Sequence, residues 1–153
     1  KPKGGSNEII MAVGIDVGGV MEVEAYRWTG SAWTDQNVVT ATTNASTQGL
    51  NQGAVFDVEW EDSTGDAIVV YATAATVEMK YKLLPSGGAW GTETDAFDTP
   101  VNGSGVIWVN TEGDPSSNRI AVATNDTAND LSVAVWKADG TTAGWTYFSA
   151  TIN

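Results

Sequence analysis

Residues 55–73 read VFDVEWEDSTGDAIVVYAT, and residues 106–124 read VIWVNTEGDPSSNRIAVAT. The two stretches have equal length and one plan. An apolar run enters an acidic turn rich in Gly, Ser or Pro, and a second apolar run leaves it and ends on Ala-Thr. Runs of this length, β-branched and bounded by turn formers, read as paired strands. Their recurrence along the chain reads as a repeat, which is the pattern that most constrains a fold.

Two further landmarks keep the same period. Ser6-Asn7-Glu8-Ile9 matches Ser117-Asn118-Arg119-Ile120, two repeats later. An aromatic residue closes one strand and a Trp opens the next in WTGSAW (28–33), YKLLPSGGAW (81–90) and WKADGTTAGW (136–145). The chain therefore divides into three units, approximately 6–47, 48–101 and 102–153, within a single repeat domain spanning 1–153.

Each full unit is expected to hold four strands: 54–61, 67–73, 77–83 and 89–97 in the second, and 105–111, 119–124, 131–137 and 144–152 in the third. The first unit opens directly on its second strand, with strands at 8–14, 20–28 and 32–42. Eleven strands follow, in an all-β fold of three antiparallel units. Blades of a β-propeller are the architecture favoured, and a β-sandwich is the alternative. Three blades cannot close a ring, and a first sheet short of a strand leaves edges that another polypeptide must satisfy. Self-association or a longer parent chain would supply it.

Composition narrows the chemistry. The chain is 42% hydrophobic, enough for a folded core. Net charge is −12, with seven Lys and Arg against nineteen Asp and Glu. No basic stripe exists to neutralise phosphates, so nucleic acid is not an expected partner. No apolar run reaches the ~20 residues of a membrane-spanning helix, so no membrane insertion is expected. Cysteine and histidine are both absent, which removes thiolate and imidazole chemistry, including Ser–His–Asp and Cys–His catalysis. The stretch Lys1-Pro2-Lys3-Gly4-Gly5-Ser6 lacks the apolar segment of a signal peptide.

The corner Lys137-Ala138-Asp139-Gly140-Thr141-Thr142-Ala143-Gly144-Trp145-Thr146 resembles the Asp-box of sialidases and related propellers, with the Asp-to-Gly-to-Trp spacing altered. The corner Trp28-Thr29-Gly30-Ser31-Ala32-Trp33 is similar to those of bacterial surface propellers and propeller lectins. The resemblance implies a propeller fold and an extracellular or cell-surface setting. It does not imply sialidase activity, because that family grips its substrate with an arginine cluster and this chain has only Arg27 and Arg119.

Three sets of residues are candidates for function. Trp33, Trp90 and Trp145 recur with the repeat and suit stacking on sugar faces; the same recurrence suits packing between blades. Asp62 and Asp66 (with Glu61), Asp114 (with Glu112), and the pair Asp126 and Asp130 are acidic turn clusters. Calcium is the one cofactor they would suit, although Asp in turns is commonly structural and no EF-hand spacing is present. Asn44, Asn102 and Asn125 begin triplets of the glycosylation type. No catalytic residue is identified, since a carboxylate pair among nineteen acids carries no specificity. The sequence thus points to a non-catalytic, extracellular assembly subunit of the surface, fibre or adhesin type. The alternative is a carbohydrate-binding propeller lectin with a glycan ligand. The polar run Thr40–Thr47 is expected to link the first two units.

Overall fold

A computed structural model describes residues 1–17, 20–39, 55–73, 79–97, 105–126, 130–137 and 144–150. The proposed linker at 40–47, Asn44, Asn102 and most of the Asp-box-like corner (138–143) lie outside the described residues.

All eleven expected strands are present: β1 (Ile9–Val17), β2 (Val20–Trp28), β3 (Trp33–Val39), β4 (Phe56–Trp60), β5 (Ala67–Ala72), β6 (Met79–Leu84), β7 (Thr94–Phe97), β8 (Val106–Gly113), β9 (Arg119–Asp126), β10 (Leu131–Lys137) and β11 (Gly144–Ala150). They form three separate antiparallel meanders, β1-β2-β3, β4-β5-β6-β7 and β8-β9-β10-β11. Each sheet draws on one contiguous stretch of chain, so the sandwich alternative falls. β4 lies beside both β1 and β8, and the sheets stack face to face in chain order as propeller-type blades. We call them blades one, two and three. The front of each blade faces the lower-numbered neighbour and the rear faces the higher.

Blade one holds three strands, as expected, and residues 1–3 run beside the start of β1 through an isolated bridge. The Lys1 amino group donates to the Ile10 carbonyl at 2.6 Å, Ile10 N–H donates to the Lys1 carbonyl at 2.9 Å, and Pro2 forms a bridge with Ile9. The turn that follows is built like its counterparts. Lys3 N–H to Glu8 C=O, Glu61 N–H to Asp66 C=O and Asp114 N–H to Arg119 C=O close the same kind of turn in the three blades. These bonds fix which residues are equivalent, independently of the sequence match.

Two cores result. One, between blades one and two, gathers Ile10, Val23 and Ala25 with Val69, Leu84 and Trp90. The other, between blades two and three, gathers Ile68, Val70 and Met79 with Ile120, Val122 and Trp136. Blade two is packed on both sides, so every residue of β5 is buried and its sequence AIVVYA is apolar on both faces. β9, RIAVATND, alternates instead, with Ile120, Val122 and Thr124 buried and Arg119 and Ala121 exposed.

The inner strands are tied across blades. Thr111 donates its N–H (2.8 Å) and hydroxyl (2.9 Å) to one Asp57 oxygen and shares the hydroxyl with the Val58 carbonyl at 3.1 Å. Trp60 Nε1 donates to the Lys1 carbonyl at 3.1 Å, and Lys1 Nζ reaches Glu59 and the Thr111 carbonyl, both at 2.8 Å. At Gly113 the chains approach so closely that a Cβ would stand 2.7 Å from the Trp60 carbonyl oxygen.

Candidate functional site

The turns between the first and second strands of each blade explain their acidity without an ion. The Glu61 side chain is fully buried, and its two oxygens accept from the backbone N–H and hydroxyl of both Ser63 and Thr64. Burial works against its ionisation, but these four donors outweigh it and hold the carboxyl below its ordinary pKa. Asp114 repeats the device with Ser116 and Ser117, and those hydrogen bonds lower its pKa to about 2. Blade one places Lys3 at this position instead. Its ammonium binds Glu8 and the Gly65 carbonyl and lies 4.8 Å from the centre of the Trp60 ring, a cation–π contact. Gly65 holds a positive φ of 75°, a conformation that glycine adopts without steric cost. A side chain there would also strike the Lys3 ammonium.

The other acidic candidates are also accounted for in their turns. Asp66 accepts from Ser86 N–H at 2.8 Å, and Asp126 accepts from Asp130 N–H at 2.8 Å across the β9–β10 turn. Asp62 and Glu112 are exposed. Among the described residues no three acidic side chains converge as a cation site would require.

The three tryptophans divide. Trp90 is 5% exposed and belongs to the core between blades one and two, in the coil ahead of β7 rather than at the start of a strand. Trp145 packs edge-on against Tyr81 and Phe97 of blade two, with ring centres 5.4 and 5.5 Å away, a preferred aromatic geometry. Trp33 is 48% exposed and leans on Trp28 at 5.6 Å.

Strand register shows why. Ile120, Trp136 and Trp145 form one rung across blade three, and Ile9, Trp28 and Trp33 form the same rung across blade one. In blade three this rung faces blade two, and Ile120 and Trp136 are fully buried. In blade one it faces forward, where this chain has no further described blade. Met11, Tyr26 and Val13 share that forward face, since opposed residues of antiparallel strands project to one side.

The rear of blade three likewise has no described blade against it. It carries Trp108, Ala121, Ala123, Val133 and Val135, with Arg119 and Lys137 at one end. Two shallow depressions of roughly 300 and 270 Å³ lie here, one lined by Glu112, Gly113, Asp114, Arg119, Ala121 and Val135 and the other by Arg119, Val135, Lys137 and Thr146. The exposed large hydrophobic residues among those described are Ile9, Met11, Trp33 and Trp108, at 38, 38, 48 and 40%. All four sit on these two end faces. They are therefore grouped on two faces rather than scattered over the surface.

Sequence reasoning found Trp33 but not Ile9, Met11, Trp28 or the small-residue face of β9. The signal was in the match of Ser6–Ile9 to Ser117–Ile120, which makes Ile9 the counterpart of a core residue. The two arginines sit on different blades. Arg27 pairs with Glu8 in blade one and donates to the Gly88 carbonyl of blade two, while Arg119 lies on the rear of blade three. The Arg27 guanidinium, with Lys3, holds the Glu8 carboxyl below its ordinary pKa despite partial burial.

No protein-family model matches this chain, and no curated protein matches it. Solved structures do. A Hadza microbial sialidase, Hz136, is similar over 97% of this chain and 36% of its own, with 12% identity and a TM-score of 0.51. A mutant Aleuria aurantia lectin in complex with α-methyl-L-fucoside is similar over 95% and 47%, at 16% identity and TM-score 0.45. The same lectin with Fucα1-6GlcNAc gives 95% and 48%, 15% and 0.46. The chain thus spans between about a third and a half of these structures. At such identities the likeness is one of fold, and it agrees with the propeller-type stacking of the sheets.

Proposed function

We propose that this chain is a non-catalytic, extracellular assembly and binding module: three consecutive propeller blades whose ring is finished by other blades. Its partners meet the front of blade one and the rear of blade three. One observation carries this reading: the exposed large hydrophobics occupy those two faces, and Ile9 and Trp28 stand where blade three buries Ile120 and Trp136. What another chain completes is therefore a pair of faces rather than the sheet edges the sequence suggested. The absence of His and Cys and the separation of the two arginines support a role without catalysis.

A tandem fusion of two copies through a flexible linker tests this. Closure of the fused blades should move the Trp33 resonance of fluorotryptophan-labelled protein, assigned with Trp33→Phe, from a solvent-exposed to a buried position and raise Tm. An unchanged Trp33 and unchanged Tm would defeat the reading.

Carbohydrate recognition is the second reading. It is favoured by the tilted contact of exposed Trp33 with Trp28, at a corner whose Thr29 and Ser31 are also exposed. Together these give an apolar platform beside neutral hydrogen-bonding groups. Fucosides are the first ligands to try. Binding abolished by Trp33→Ala without loss of stability would establish it, and a glycan array with no response would remove it.

A further inference from the structure

We propose that the junction between blades one and two is a latch closed by cations, and that blade one opens away from blade two while blades two and three stay packed. The latch lies between described residues of one chain, so it does not depend on what stands beyond either end face.

Blade one holds three of the seven Lys and Arg of the chain, Lys1, Lys3 and Arg27. All three reach out of their own sheet. Lys1 Nζ binds Glu59 of blade two and the Thr111 carbonyl of blade three. Lys3 Nζ donates to the Gly65 carbonyl of blade two at 3.2 Å and lies over the Trp60 ring. Arg27 Nη1 donates to the Gly88 carbonyl of blade two at 3.4 Å. Glu8 holds two of these cations in position from within blade one. One of its oxygens accepts from Arg27 Nε at 2.8 Å and the other from Lys3 Nζ at 3.1 Å.

The matched positions of blade two do something else. The bonds that close the turns make Lys3 the counterpart of Glu61, and the Glu61 carboxylate is taken up by Ser63 and Thr64 of its own turn. Arg27 pairs with Ile10 as Leu83 pairs with Ile68, and Leu83 packs against the apolar core between blades two and three. A cation at one junction thus stands where the other has a leucine.

The apolar packing differs in the same sense. Among the described residues, blade one gives its junction Ile10, Val23 and Ala25 with Ala12 beside them, none of them aromatic. Blade three gives its junction Ile120, Val122 and Trp136 among others, with Trp145 beside them. Aromatic side chains dominate the energetics of packed interfaces. A junction that lacks them on one side, and relies on a few charge-assisted bonds, is the one to open below the global unfolding free energy. Opening uncovers Trp60, Tyr71 and Trp90 and carries with it the forward face that bears Trp33.

The chain has no cysteine, so one introduced thiol reports opening. Val23→Cys places it in the core between blades one and two, and Val122→Cys in the core between blades two and three; both positions are 0% exposed. Each whole chain, its fold checked by near-ultraviolet circular dichroism, is reacted with a neutral maleimide under native conditions. The thiol at position 23 should react at least about 10-fold faster than that at 122. Adding Glu8→Gln or Lys3→Met should speed position 23 by roughly a further 10-fold, the scale of one hydrogen bond to a charged group, and leave position 122 unchanged. Arg119→Met, on the rear of blade three, should change neither. Equal rates at the two positions, a variant that speeds both alike, or a position 23 indifferent to Glu8 and Lys3 would each overturn the proposal.

Discussion

Blade one and blade three present the same rung of residues in opposite circumstances. Ile120, Trp136 and Trp145 are packed beneath the rear of blade two, whereas Ile9, Trp28 and Trp33 face forward with no described blade over them. The local sheet is alike in both, with the same pairing and the same turn closing it. A corner tryptophan is therefore neither a ligand platform nor a core residue by its own chemistry. Whether a neighbouring blade covers it decides whether it is buried. This is how repeat proteins work generally: each unit contributes half of every interface, and terminal units expose the half left over.

Mutations at matched positions can break or sharpen this comparison. Trp136→Ala should cost about 3–5 kcal/mol in urea denaturation, through lost burial and the cavity left behind. Trp33→Ala, measured where the chain is monomeric, should cost under about 1 kcal/mol. Equal costs at the two sites would show that the front of blade one is already covered. Gly113→Ala should be next, at about 1–3 kcal/mol, because an overpacked site forces one strand to shift. The Trp60 carbonyl leaves no space there for a methyl group.

A smaller effect distinguishes the inner strands. Thr111→Val should lose roughly 1.5 kcal/mol, the cost of removing a buried hydrogen-bonding hydroxyl. That hydroxyl bridges Asp57 and Val58. Asn110 lies on β8 of blade three, paired with Ala123 as Asp57 of blade two is paired with Val70. On this open rear face Asn110→Ala should leave stability nearly unchanged, as surface substitutions usually do. The smallest effect is in the acid range. Glu8 and Glu61 have folded-state pKa values below the ordinary 4.5. Their stabilisation is therefore complete above that pH and is lost as pH falls through the folded values. Thermal melts should show Tm declining below about pH 4.5, and Glu8→Gln should flatten that decline.

Much of the fold was legible because its signals are local. The strand runs, the turn residues and the period placed all eleven strands, with errors confined to ends. β7 begins at Thr94 rather than near Trp90, because Gly91 and its neighbours run as coil that donates back to the Leu83 carbonyl. The first unit's lack of a first strand was legible, but the run of residues 1–3 beside β1 was not, because a three-residue segment holding a proline carries no strand signal. It is held only by contacts such as those with Ile10, Glu59 and Trp60. The acidic turns could be read equally as ion sites or as structural turns until geometry showed which hydroxyls and amides each carboxylate accepts. The tryptophans could not be sorted at all, since 28–33, 81–90 and 136–145 share one pattern.

By itself the sequence determined the all-β class, the three-fold repetition and the exclusion of imidazole and thiolate chemistry. These depend on side-chain identity and on spacing along the chain. Only the tertiary structure decided which aromatic corners are buried between described blades, and that Ile9, Met11 and Trp33 lie on the front of blade one and Trp108 on the rear of blade three. Those are properties of which sheet lies against which, and burial depends on a neighbour that residue identity alone does not specify.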